Sequence, residues 1–81
     1  MKFLNNITSL GTITVGVDDA GHDVTFFGDT ASRAMRWDAS ADQLILSDDT
    51  YLILGDSTHA LMMNFDATNS YITNAYGDLY I

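Results

Sequence analysis

Two pairs of adjacent aspartates are the residues best suited to acid–base chemistry. They are Asp18 with Asp19 and Asp48 with Asp49. Two carboxylates held at a set distance can act as general acid and general base, as in glycoside hydrolysis. Both pairs, however, lie in predicted turns, where aspartate side chains accept hydrogen bonds from backbone amides. No Glu is present to serve as a tuned general acid. We therefore interpret both pairs as turn formers on a solvated surface.

Patterns for metal binding and nucleophilic catalysis are equally sparse. The two histidines, His22 and His59, have no second nitrogen ligand at helical spacing. Residues 18–23 lack the alternating aspartates of a calcium loop. Adventitious binding of calcium by clustered carboxylates stays an open alternative. There is no Cys, no Gly-x-Ser-x-Gly element and no glycine-rich phosphate loop. The sequence thus predicts a protein that is not an enzyme and that has no catalytic residue, resident metal or cofactor.

Net charge and hydropathy exclude further classes of function. Three basic residues stand against eleven acidic ones, for a net charge of −8. A chain this acidic is repelled by phosphate backbones, so nucleic acid is not an expected partner. No apolar run reaches the roughly 20 residues of a membrane span. The opening MKFLNNITSL turns polar too early for a signal-peptide core. One domain over 1–81 is expected from the length.

Short runs of alternating or continuous apolar residues, separated by turn formers, predict an all-β fold. Helix-favouring Glu, Lys and Gln are nearly missing, whereas Asp, Asn, Ser, Thr and Gly abound. One alternative is a helical turn within residues 30–44, which hold four alanines and a capping residue at their start. The predicted strands span residues 12–17, 22–27, 33–37, 43–46, 51–54, 60–65, 70–73 and 78–81.

Several of these strands are apolar on both faces, which predicts packing beyond one chain. A chain of 81 residues can cover only a few strands on both sides. With no disulfide or metal site to staple the fold, oligomerisation is the remaining stabiliser. The partner expected first is therefore another copy of the chain. The residues predicted to be buried at subunit contacts are Ile13, Val15, Phe26, Met35, Trp37, Leu44, Leu46, Leu61, Met63, Phe65, Ile72 and Leu79.

A Gly-Asp pair follows an apolar residue three times, at residues 28–29, 55–56 and 77–78. The first and second pairs lie farther apart than the second and third. We therefore expect one turn device reused at strand ends and no strict repeat period.

Three stretches occur in a characteristic order: VGVDDAGHDVTFFG at 15–28, MRWDASADQLIL at 35–46 and NSYITNAYGDLYI at 69–81. Together they resemble a segment that recurs in tail-fibre and other virion structural proteins of tailed bacteriophages, notably marine ones. The resemblance is carried by residues 10–46 and 69–81. Members of that family are usually long, with such segments between other modules. The resemblance implies a β-rich homotrimer that intertwines along a fibre, located in the virion beside other virion proteins. It implies no catalytic residue.

Two alternative functions follow from the same residues. One is a small β-sandwich whose exposed aromatic residues stack on host-surface glycans. The other is a self-assembling protein that forms open filaments by adding strands from one copy to the next. The fold expected first is a module of short turn-linked strands that forms an intertwined homo-oligomeric fibre or β-prism, with three copies as the expected number.

Overall fold

A computed structural model describes residues 5–55 and 59–81 of the chain, and the predicted turn at 55–58 lies largely outside these residues. The described residues form six β-strands and no helix, which confirms the all-β prediction. They accordingly hold no helix long and apolar enough to cross a membrane. The strands are β1 (Val24–Phe27), β2 (Ala34–Asp38), β3 (Gln43–Leu46), β4 (Leu52–Leu54), β5 (Leu61–Phe65) and β6 (Ser70–Asn74).

The strands form two antiparallel meanders, one of β1-β2-β3 and one of β4-β5-β6. In the first, Phe27 pairs with Ala34 across a six-residue connection. Asp38 pairs with Gln43 across a four-residue turn. That turn and β2 occupy the segment for which a helix was the alternative, so the helical alternative for 30–44 is wrong. Its alternating apolar residues and the turn-forming aspartates favour a hairpin over a helix.

Two of the eight predicted strands do not form, at 12–17 and 78–81. In the first segment only Val17 is paired, through a single bridge to Ala20 across a two-residue turn. Gly16 has a φ of 81°, a left-handed conformation that interrupts an extended run. Gly77, at φ 70°, does the same just before the second segment. A strand also needs a hydrogen-bonded neighbour to satisfy its amides, and no described strand pairs with either segment.

Four of the six strand limits of the second sheet repeat those of the first at one offset along the chain, and the other two differ from it by one position. The step from the start of β2 at 34 to the start of β5 at 61 equals the step between their ends, from 38 to 65. The same step takes the start of β3 at 43 to that of β6 at 70, and the end of β1 at 27 to that of β4 at 54. The expectation that no strict period governs the chain is therefore wrong for the six strands. That expectation relied on the unequal spacing of the Gly-Asp pairs. The pair at 77–78 lies at a different place in its sheet from the other two, so the spacing does not report the offset of the strands.

Neither sheet is covered, and the described residues contain no buried side chain, apolar or polar. The accessible surface is 7267 Å², whereas a compact monomer of 8.9 kDa exposes about 4,800 Å². The radius of gyration is 15.9 Å, against about 12 Å for a compact chain of this length. Within residues 5–55 and 59–81, a single chain thus has its secondary structure but no hydrophobic core.

Candidate assembly interface

Strand pairing places six apolar side chains on one side of the first sheet. Val24, Trp37 and Leu44 lie opposite one another across the three strands. The next row on the same side has Phe26 beside Met35, with Leu46 completing it. Side chains at alternate positions of a strand share a face. We call this set the first apolar face: Val24, Phe26, Met35, Trp37, Leu44 and Leu46.

The second sheet carries an equivalent apolar side. Leu52, Met63 and Ile72 form one row across the sheet. Leu54 pairs with Leu61 in the neighbouring row, and Phe65 lies two positions beyond Met63 on the same side. The second apolar face is therefore Leu52, Leu54, Leu61, Met63, Phe65 and Ile72.

The two apolar faces border one concavity of about 370 Å³. Leu46 of the first face lines it together with Leu52, Met63, Phe65 and Ile72 of the second. The concavity opens to solvent, and the large side chains around it are partly exposed. Leu46 is thus the one first-face side chain that lines this concavity beside the second apolar face.

The opposite side of the first sheet is more polar, whereas that of the second sheet is mixed and holds Ile53, Met62 and Tyr71 beside Asn64 and Thr73. The polar residues behind the first apolar face are Thr25, Arg36, Asp38 and Gln43. The most exposed apolar side chain on that side is Phe27. On β2 the apolar Met35 and Trp37 are more exposed than Arg36 and Asp38. This is the reverse of the pattern in a sheet packed on its own core, where the apolar side is the covered one.

Nine of the twelve side chains predicted at subunit contacts lie on the two apolar faces. The other three, Ile13, Val15 and Leu79, lie outside the strands, although Val15 lines a concavity with Trp37. The prediction missed Val24, Leu52 and Leu54. Each lies two positions from, or directly across from, a predicted member, so strand alternation with the correct pairing would have found them. Burial of these residues between subunits stays a prediction.

Arg33, just before β2, contacts Asp49 in the connection that follows β3. Its Nη1 donates a hydrogen bond of 2.9 Å to the Asp49 carbonyl, and its Nη2 lies 3.8 Å from Asp49 Oδ2. Both side chains are about two-fifths exposed, so the pair adds little stability but orients the connection. The Asp49 N–H donates in turn to the Phe65 carbonyl of the second sheet, at 2.8 Å.

Several aspartates act as turn residues, whereas Asp23 accepts a bond of 2.9 Å from the N–H of Ala39, sixteen positions along the chain. Asp18, Asp19, Asp48 and Asp49 all lie in turns, as the sequence predicted. Asp66 accepts hydrogen bonds from the N–H groups of Asn69, at 2.7 Å, and Thr68, at 2.9 Å. These two bonds, with Asn69 the larger cause, lower the pKa of the Asp66 carboxyl below its ordinary value. In the described ranges no three His, Asp or other ligating side chains are grouped to hold a metal ion.

A second feature lies on the far side of the second sheet. Tyr51 and Tyr71 line a shallow concavity of about 290 Å³ together with polar side chains of Asn64, Asp66 and Thr73. Met62 forms part of its apolar floor. We call this group the tyrosine face.

Comparison with known proteins gives no match: no family model, no curated protein and no solved structure corresponds to this chain.

Proposed function

We propose that the chain is a structural, non-enzymatic virion module, part of a bacteriophage tail fibre or a related appendage, that works as a β-rich homotrimer. The observation that supports this proposal best is the absence of any buried side chain in residues 5–55 and 59–81. Two apolar sheet faces without a core among the described residues gain stability when a partner covers them, and other copies of the chain would do so.

The exposed area is of the size that such an assembly requires. The surface of 7267 Å² exceeds that of a compact monomer by about 2,500 Å². Interfaces of obligate oligomers bury about 2,000–5,000 Å² in total, and they resemble a hydrophobic core cut in half. An excess of this size, covered in every copy of a trimer, would be in the range of obligate interfaces, which supports the proposal.

The sheet edges favour the same arrangement. A three-stranded sheet leaves the outer edges of its two outer strands unpaired, and these edges pair readily with other chains. β1 and β3 present such edges in the first sheet, as do β4 and β6 in the second. Intertwined copies would satisfy these amides and carbonyls, and the resulting continuous hydrogen bonding resists unfolding, as a virion fibre must.

The virion role is supported by the resemblance of residues 10–46 and 69–81 to tail-fibre segments. In that role the module extends and stiffens an appendage and contacts other virion proteins. The proposed role involves no catalytic step, and the acid–base candidates are all turn residues.

The test is the native mass, measured by light scattering on a sizing column beside an unheated detergent gel. We expect one species near three times 8.9 kDa that survives detergent without heating. Polydisperse material in the void volume would replace the closed trimer with an open filament. A monodisperse 8.9 kDa monomer would refute both forms of assembly.

The tyrosine face supports one second candidate, recognition of a host-surface glycan. Tyr51 and Tyr71 are partly exposed beside amide, carboxylate and hydroxyl groups, which is the combination that stacks on and hydrogen-bonds to sugars. A glycan array tests it, with Tyr71→Ala as the disabling variant. Tyr76→Ala serves as the control, since Tyr76 does not line this concavity. A selective signal lost only in the first variant would establish binding, and no selective signal would remove this candidate.

A further inference from the structure

We infer that residues 12–15 of one copy add as a strand to the outer edge of β1 in a neighbouring copy, so that exchanged strands join the copies. This inference rests on the proposed assembly of identical chains and names the contact that links them. The added strand runs antiparallel to Val24–Phe27, with Val15 opposite Val24 and Thr12 opposite Phe27.

Residues 12–15 have the pattern of a strand but no strand partner in their own chain. The run Thr-Ile-Thr-Val consists wholly of β-branched residues, which favour strands. No described strand pairs with it, and Ile13 is 73% exposed. The backbone groups of this segment are therefore available to the sheet edge of another chain.

Hydrogen bonds where the chain passes from β1 to β2 show which groups of β1 are free. The Gly28 N–H donates to the Arg33 carbonyl, at 2.7 Å. The N–H of Ala34, which lies across from Phe27, donates instead to Ser47 Oγ, at 2.9 Å. The Ala34 carbonyl accepts from the Ser47 N–H, at 3.1 Å. Phe27 and Ala34 therefore lie opposite each other without exchanging hydrogen bonds.

The free groups of β1 belong to Thr25 and Phe27. Bonded and non-bonded pairs alternate along an antiparallel ladder, so Val24 and Phe26 are the residues that bond to β2. The N–H and C=O groups of Thr25 and Phe27 point away from it. β1 also has no charged residue and no proline, the usual protections of an edge strand. This edge can therefore accept a strand whose alternate amides face Thr25 and Phe27.

The turn at 17–20 keeps the segment off the β1 edge of its own chain. Val17 and Ala20 exchange two hydrogen bonds, of 3.2 and 3.0 Å. Continued in the same register, this hairpin would make Ile13 a hydrogen-bonded partner of Val24, whose groups are directed to β2. Gly16, in a left-handed conformation, ends the hairpin after this single bridge. The edge of another copy is free of this constraint on register.

The proposed register satisfies both the amides and the side chains. With residues 12–15 opposite Val24–Phe27, the amides of Thr12 and Thr14 face the free groups of β1. Ile13 and Val15 then lie on the side of the first apolar face, and each extends one of its two rows by one side chain. The added strand therefore enlarges the apolar face as it covers the edge.

Charge and position identify the partner as another copy. Each copy has a net charge of −8, yet neither residues 12–15 nor β1 has a charged side chain, so like charges do not oppose pairing there. A basic partner would be drawn to the aspartate turns instead. Val15 lines a concavity with Trp37, so the segment leaves from the rim of the first apolar face. The contact is heterologous, and three such contacts in a ring close a trimer.

The test is a disulfide between two positions that the register places together. Thr14→Cys with Thr25→Cys gives the chain its only two cysteines. Opposite Cα atoms in such a pair lie about 5.5 Å apart, within reach of a disulfide. The control, Thr14→Cys with Thr68→Cys, moves the second cysteine to the connection between β5 and β6. We expect oxidation to give covalent trimers at least about tenfold faster than any cross-link in the control, because paired strands hold the thiols at a high effective concentration.

Hydrogen exchange of the unaltered chain measures the same contact without a substitution. The amides of Thr25 and Phe27 should exchange at least about tenfold more slowly in the assembly than after dilution to monomer. Fast exchange at both amides in the assembly would overturn the inference.

The mass of the reduced samples, from light scattering, separates this inference from the proposed function. A trimer without cross-links between copies, or with disulfides only inside single chains, would overturn the strand exchange and leave the proposed trimer unaffected. Open filaments that give a ladder of cross-linked chains would support the exchange and refute the closed trimer. A monomer at every concentration would refute both.

Discussion

Two adjacent phenylalanines allow the two sides of β1 to be compared by the same chemical change. Phe26 belongs to the first apolar face, pairing with Met35, whereas Phe27 points to the opposite side of the strand. In the single chain Phe27 is the more exposed, at 85% against 60% for Phe26. If exposure in one chain decided the outcome, Phe27→Ala would be the more harmful. If the first apolar face is the interface, Phe26→Ala is the more harmful.

The magnitude follows from the surface that assembly would cover. Phe26→Ala removes about 100 Å² of exposed ring, which at about 25 cal/mol per Å² is about 2.5 kcal/mol per subunit. Three copies lose about 7.5 kcal/mol, or between five and six powers of ten in the trimerisation constant. Because that constant scales with the square of concentration, the midpoint of dissociation moves to a protein concentration about 500-fold higher.

The assay is a dilution series of both variants and the unaltered chain, with the mass at each concentration read by light scattering or sedimentation. Far-ultraviolet circular dichroism on the same samples separates dissociation from loss of strands. We expect the midpoint of Phe26→Ala to rise by two to three powers of ten and that of Phe27→Ala to move by less than about one. Equal midpoints, or a larger shift for Phe27→Ala, would refute the assignment of this face.

Three further perturbations act on turns and connections. Gly16→Ala should lower the apparent Tm, because φ is 81° and the new Cβ would lie 3.0 Å from a backbone oxygen, a strain of about 1–2 kcal/mol. Gly11→Ala is the control: its new Cβ has nothing within 4 Å, so Tm should stay unchanged. Arg33→Ala should lower the free energy of unfolding, measured in urea, by less than about 1 kcal/mol, and added salt should reduce this difference. A difference that does not change with salt would contradict an ionic contribution. The pKa of Asp66 is lowered in the folded chain, so its ionised carboxylate stabilises the turn at pH values above the ordinary pKa of 3.8. This stabilisation is lost as the pH falls through the folded-state pKa. NMR amide shifts of the turn should report this change, and Asp66→Asn should abolish its pH dependence.

The local strands were predictable, because each is set by a few neighbouring side chains. Six predicted strands form, and their limits differ by no more than two positions from the structure. The alternation of Met35 and Trp37 with Arg36 and Asp38 already indicates a strand with one apolar side. The turn-forming aspartates mark where the strands end.

Pairing was not predictable from the same signals. The segment 12–17 has a strand's alternation, yet no described strand pairs with it and its backbone has a left-handed conformation at Gly16. Which strand lies beside which depends on contacts between residues distant in sequence, and alternation within one segment carries no record of them. The same gap explains why Val24, Leu52 and Leu54 were missed as members of the apolar faces.

The repeat was hidden for a related reason. Its period is an odd number of positions, so the counterpart of each first-face residue lies on the tyrosine side of the second sheet. Trp37 thus corresponds in chain position to Asn64, whereas its chemical counterpart is the neighbouring Phe65. Strand limits and connection lengths preserve the period, while the apolar side chains are displaced by one position.

Trp37 allows the most direct measurement of the central claim, that other copies of the chain cover the apolar faces. It is the only tryptophan and lies on the first apolar face, 40% exposed in the single chain. Its fluorescence and its quenching by acrylamide should be recorded over a dilution series, with mass measured on the same samples. The account predicts a blue-shifted emission, protected from quencher at trimer mass, that becomes red-shifted and quenchable as the mass falls to 8.9 kDa. A trimer with Trp37 as accessible as in the monomer, or a monomer at every concentration, would contradict it.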